Sequence, residues 1–232
     1  MQLYLCEFIG TAMLVLLGDG VCMNVSLSKS GFKGSSTTVI AIGWGLAVMV
    51  PAFMFGYSGA SFNPVLTVAL AVAGLFDWAL VPGYIIAQML GGFLGAAVLS
   101  LVYKNHLDAH EAEGGSTLGV YCTGPSIPNA PMNVLQEAIS TFVLVFAILA
   151  IPANYALPNF AVFGIIMCCG MSFGGTTGYA MNPARDLSPR IAHAVFRKGD
   201  NNWGYAWIPV VGPLLGALVA ALVWKVVPFF HF

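Results

Sequence analysis

Ser58-Gly59-Ala60-Ser61-Phe62-Asn63-Pro64-Val65 and Thr177-Gly178-Tyr179-Ala180-Met181-Asn182-Pro183-Ala184-Arg185-Asp186 are two versions of one pattern. In each, a glycine and three loop residues lead to Asn-Pro, which opens an apolar stretch. Asparagine caps the orphan amides of a helix start, and proline fits the first helical position, where no donor is needed. The stretches so opened, 63–75 and 182–196, extend only roughly 20 Å at about 1.5 Å per residue, too short for a hydrocarbon core of about 30 Å. Both read as half-helices that enter a bilayer and stop inside it.

The rest of the chain supplies the bilayer. Of 232 residues, 59% are hydrophobic and 7% charged, against about a quarter charged in a soluble domain. The formal charge of -1 gives no basic surface for nucleic acid. Apolar runs near 3–26, 38–57, 80–103, 132–152, 158–174 and 206–229 are long enough, or nearly so, to span as helices. The first, Leu3 to Val25, lacks a basic start and carries Glu7 and Asp19, so a mature transmembrane helix is expected there and not a signal peptide. Asp19 itself is expected at a solvated helix end. The five cysteines have no metal-ligand spacing, and neither do His106, His110, His193 and His231, which are expected at solvated or helix-end positions. No metal and no cofactor are expected.

The chain also repeats itself. Glu7-Phe8-Ile9-Gly10-Thr11 before the first Asn-Pro is echoed by Glu137-Ala138-Ile139-Ser140-Thr141 before the second, and Gly91-Gly92-Phe93-Leu94-Gly95 by Gly212-Pro213-Leu214-Leu215-Gly216. The order predicts a single channel domain built as repeat 1 (about 1–103), a polar, flexible connecting loop (about 104–131) and repeat 2 (about 132–232). Three spans per repeat is odd, so the second copy must enter upside down.

Taken together, the two loops and the helices that precede them resemble the aquaporin, or major intrinsic protein, superfamily, and the resemblance covers essentially the whole chain. It implies an all-α membrane protein of six transmembrane helices plus two re-entrant half-helices that meet head to head, related by an inverted internal repeat. It also implies a homotetramer with one pore per subunit in the cell membrane, where small residues such as Gly91, Gly92 and Gly95 permit close helix contacts. Irregular backbone at membrane depth is tolerated only where it is buried or lines a wet cavity, so Gly59, Ala60, Ser61, Gly178 and Ala180 are expected to turn carbonyls into the pore. Asn63 and Asn182 would add donors at the midplane. Glu7 and Glu137, costly at that depth without partners, are expected to brace the amides of the loops, with Asp186 in a further bracing role.

For the selectivity filter the resemblance points to Trp44, Gly170, Tyr179 and Arg185. Arg185 would face water and be held by loop carbonyls. Gly170 stands where water-selective relatives carry histidine and would leave empty volume there. A Trp, Tyr, Arg and Gly set suits a linear polyol, and Asp186 after Arg185 marks the glycerol-facilitator branch. The expected function is a passive channel for glycerol and related small neutral solutes, also passing water and excluding ions and protons. The alternatives are a water-selective aquaporin, which Gly170 disfavours, and an ion-coupled secondary transporter, for which no coupling-ion ligands appear. No nucleophile–base pair or phosphate loop suggests an enzyme. Three departures from the family pattern bear on substrate: Val65 adds bulk where the half-helices would touch, Ser61 stands where glycerol facilitators often carry histidine, and Tyr179 replaces the commoner phenylalanine.

Overall fold

A computed structural model describes residues 1–152 and 154–227. Among the described residues, six helices are long and apolar enough to cross a membrane: α1 (Gln2–Ser26), α2 (Thr37–Phe55), α4 (Val81–Val102), α6 (Ala130–Leu149), α7 (Pro158–Thr177) and α9 (Ile208–Val226). Two short helices, α3 (Pro64–Ala73) and α8 (Pro183–Phe196), begin at the Asn-Pro pairs. The chain is an all-α, multi-pass integral membrane protein whose two short helices are the half-helices expected from the Asn-Pro pairs. His231 lies outside the described residues.

Local signals explain the boundaries. Asn63 caps α3 by accepting from the Val65 amide at 3.1 Å, and Asn182 caps α8 by accepting from the amides of Ala184 (2.9 Å) and Arg185 (3.3 Å). A proline fills the first turn of each. Helix α3 stops at Gly74, whose φ of 81° is a left-handed terminator that other residues adopt at a cost. On the outside the usual rule inverts: Leu5, Phe53, Leu94, Leu135 and Val219 are exposed, as a hydrocarbon solvent requires.

Glycines set the two closest helix pairs. A Cβ at Gly91 would lie 2.2 Å from the Phe8 carbonyl oxygen and one at Gly95 2.3 Å from that of Ala12, so α1 and α4 touch backbone to backbone. The same contact recurs between α6 and α9, where a Cβ at Gly216 would lie 2.0 Å from the Ala138 carbonyl oxygen. A Cβ at Gly92 would lie 2.4 Å from the Ala184 carbonyl oxygen of α8. These small residues join the chain's own helices.

One expectation changes at this level and two are sharpened. The segment 104–131 is not a flexible linker: Lys104–Ala112 forms a helix, α5, with Leu107 fully buried beneath it. Its polar residues are engaged in ion pairs, Lys29 with Glu113 at 2.8 Å and Arg197 with Asp108 at 2.9 Å and with Glu111. These contacts hold the Glu111 carboxyl below its ordinary range, chiefly through the Arg197 hydrogen bonds. Of the two positions expected for His193, solvated or helix-end, it takes the helix end, in the last turn of α8. It is buried at the end of α8, its ring nitrogens against the Thr117 hydroxyl and the Asn201 amide oxygen. Val65 packs into an apolar cluster with Leu66, Ala69, Val145, Ala217 and Ala220, a place that accepts a branched side chain.

Replacing Gly216 by valine forces α9 away from α6 and is expected to cost about 1–3 kcal/mol or more, read as a lower unfolding midpoint in detergent. Gly204→Ala, with no atom within 4 Å of the new Cβ, serves as the control. Equal midpoints for the two variants would contradict this packing.

Candidate functional site

The two loops are stretched and strained in the same way. Ala60 and Phe62 have φ of 52° and 47°, and Tyr179 and Met181 have 42° and 51°. Left-handed residues other than glycine cost about 1–3 kcal/mol each where the surroundings must enforce them. The enforcement comes from two buried carboxylates. Glu7 accepts from the Ser61 amide (3.1 Å), the Phe62 amide (2.8 Å), the Ser58 hydroxyl (2.6 Å) and the Gln88 side chain (2.7 Å). Glu137 accepts from the Ala180 amide (3.0 Å), the Met181 amide (3.1 Å) and the Thr177 hydroxyl (2.6 Å). Both side chains are fully buried.

The asparagines tie one loop to the other. While each Oδ1 caps its own helix, the Asn63 Nδ2 donates to the Met181 carbonyl at 2.9 Å and the Asn182 Nδ2 donates to the Phe62 carbonyl at 2.8 Å. An amide nitrogen has two N–H groups, so one on each asparagine is not used by this cross-loop bond.

Two cavities lie on either side of a ring of three residues. The inner one, of about 300 Å³, is lined by Gly59, Ala60, Ser61, Asn63, Ala180 and Asn182, among others. The outer one, of about 740 Å³, is walled by Thr37, Thr123, Gly170 and Gly178. Trp44, Tyr179 and Arg185 line both, so they form the wall between a wide vestibule and a narrower channel. The Arg185 guanidinium carbon sits 3.9 Å from the Trp44 ring centroid.

The sequence expectations for this ring need two corrections. The volume beside Gly170 is not empty: a Cβ there would lie 2.9 Å from Tyr179 Cζ and 3.0 Å from its hydroxyl. Glycine is needed because the tyrosine ring occupies that space, and the Tyr179 hydroxyl has no partner among the described residues. Arg185 is not held by loop carbonyls. Its side-chain hydrogen bond among the described residues goes to Asp19 Oδ1 at 3.3 Å, and Asp19 is 1% exposed, not at a solvated helix end. Behind the same ring, Gly18 lets the Trp44 ring approach to where a Cβ would be 2.2 Å away, and Cys22 Sγ accepts from Trp44 Nε1 at 3.3 Å. The sequence expectation misplaced Asp19; the signal was a carboxylate inside an apolar run with no acidic counterpart in the second repeat.

Asp186 braces a different segment from the two glutamates. Its Oδ2 accepts from the Thr123 amide (2.7 Å) and hydroxyl (2.6 Å), and its Oδ1 pairs with Arg190 at 3.0 Å. Arg190 in turn donates to the carbonyls of Thr123 and Asn201. This network fastens the long connection after α5 over the vestibule.

In Glu137→Gln the carboxamide NH2 faces an amide donor, leaving one loop N–H unsatisfied at a cost of about 1–3 kcal/mol. A lowered unfolding midpoint with reduced solute flux is expected, and a variant that matches wild type in both would remove Glu137 from this role.

Comparison with known proteins agrees with this geometry. The Major intrinsic protein family matches residues 1–224. The chain is 51% identical over 217 residues to the glycerol uptake facilitator protein of Bacillus subtilis (strain 168), covering 90% of this chain and 79% of that protein. It is 44% identical over 228 residues to the probable glycerol uptake facilitator protein of Thermotoga maritima, covering 95% and 97%. The X-ray structure of the aquaglyceroporin from Plasmodium falciparum superposes with a TM-score of 0.84 at 29% identity, covering 97% of this chain and 96% of that one. With six spanning helices, two capped half-helices and two loops locked to each other through Asn63 and Asn182, the chain belongs to the major intrinsic protein family of membrane channels.

Proposed function

We propose that the protein is a passive channel for glycerol and related small neutral solutes, with water passing alongside, and that Trp44, Gly170, Tyr179 and Arg185 form its selectivity filter. The observation that carries this reading is the ring between the two cavities, with the Arg185 guanidinium lying against the Trp44 face. Trp44 and Tyr179 offer an apolar corner to CH2 groups. The guanidinium N–H groups not used by Asp19 offer donors to hydroxyls beside that corner. A linear polyol has both kinds of surface, and the named relatives that are glycerol facilitators support the same solute.

The polar side is continued by the backbone of Gly178 on the vestibule side of the filter, and beyond it by that of Gly59, Ala60, Ser61 and Ala180 and by the second N–H of Asn63 and Asn182. A solute exchanges hydrogen bonds along this line without being stripped bare. Glu7 and Glu137 keep the line in place. Both half-helices aim the positive ends of their dipoles at the meeting point, which raises a barrier to hydronium and other cations. A homotetramer with one pore per subunit completes the reading.

Stopped-flow light scattering on proteoliposomes tests it. Wild type is expected to pass glycerol and water without a proton leak. In Gly170→His the imidazole must displace the Tyr179 ring, and glycerol flux should fall about tenfold or more while water flux is retained. Wild-type vesicles that pass water but exclude glycerol would favour the water-selective alternative, and a glycerol flux indifferent to Gly170→His would remove these four residues from the filter.

A further inference from the structure

Resting on the filter reading above, we infer that Asp19 is the positioning residue of the filter, fixing the Arg185 guanidinium against Trp44 and cancelling its charge. Asp19 lines neither cavity. It sits behind the ring on α1, one residue from Gly18, which receives the Trp44 ring, and three from Cys22, which accepts the Trp44 indole N–H. One face of α1 therefore holds both halves of the arginine–tryptophan stack.

The pair contributes more to geometry and charge than to stability. Two ions buried together gain little net stability, because desolvation offsets their attraction. Arg185 and Asp19 have side chains 8% and 1% exposed and meet through one contact of 3.3 Å, and Asp19 Oδ2 has no further partner among the described residues. The carboxylate thus serves Arg185 alone. Without it, a bare cation would stand in the ring between the two cavities, where it would attract small anions. With it, the ring is close to neutral, and the barrier to cations falls to the half-helix N-termini deeper in the pore. The filter then offers hydrogen-bond donors without a net field, which suits an uncharged solute.

The test measures glycerol flux and iodide entry, the latter by quenching of a trapped fluorophore, in proteoliposomes holding Asp19→Asn, Asp19→Glu and the double variant Asp19→Asn/Arg185→Gln. Asp19→Asn keeps the shape but frees the charge: iodide entry should rise about tenfold over wild type and glycerol flux should fall severalfold. The double variant is neutral again and should lose the iodide leak, which a pore merely loosened by mutation would keep. Asp19→Glu retains the charge and should exclude iodide while altering glycerol flux. An Asp19→Asn channel with wild-type glycerol flux and no iodide entry, a leak that persists in the double variant, or a leak in Asp19→Glu would each overturn the inference. A wild type that passes no glycerol refutes the filter reading instead, and the iodide comparison still decides whether Asp19 neutralises Arg185.

Discussion

Everything at the centre of this protein depends on two carboxylates standing in for water. A loop that enters a hydrocarbon layer brings amide groups that must be satisfied there, and each unsatisfied one costs several kcal/mol. Glu7 and Glu137 reach from the first helix of each repeat and accept from two consecutive amides of the loop beside them. Because those amides are held, the intervening residues stay in left-handed conformations that they would otherwise leave. The extended loops then have their remaining polar groups free to line a passage. Burial of charge, which elsewhere is a cost, here supplies the rigidity of the pore.

The asparagines carry the same logic across the pseudo-symmetric interface. Each serves two masters, its own helix start through Oδ1 and the opposite loop through Nδ2. Neither half-helix is therefore an independent unit. The glycine-lined contacts of α1 with α4 and α6 with α9 bring the glutamate-bearing helices close enough for this arrangement. Above it, asymmetry begins: only the second loop carries an arginine, and only the first helix carries Asp19 to meet it.

The fold was legible in the sequence because its signals are local. Asn-Pro starts, span lengths and the paired glutamates each act within a few residues or recur at matched places in the two repeats. The filter was legible as a set of residues but not as a geometry. Gly170 was read as empty volume because nothing in the sequence reports that Tyr179 turns its ring over it. Asp19 was read as solvated because its partner Arg185 lies 166 residues away, a separation that no periodicity encodes. The segment 104–112 was misjudged for a related reason, and the burial of His193 at its helix end was equally hidden. Polar residues look exposed until the ion pairs and hydrogen bonds that bury them, such as Arg197 with Glu111 or Asp186 with Thr123, are seen in three dimensions.

That the two loops hold each other is tested most directly by a double-mutant cycle on Asn63→Ala and Asn182→Ala, reading unfolding free energy in detergent. Because each side chain fastens the other's loop, losing the first bond already loosens what the second was holding. The double variant should lose less than the sum of the single variants, with a coupling of at least about 1 kcal/mol. Strictly additive losses would contradict a mutual lock and make each half-helix an independently anchored element.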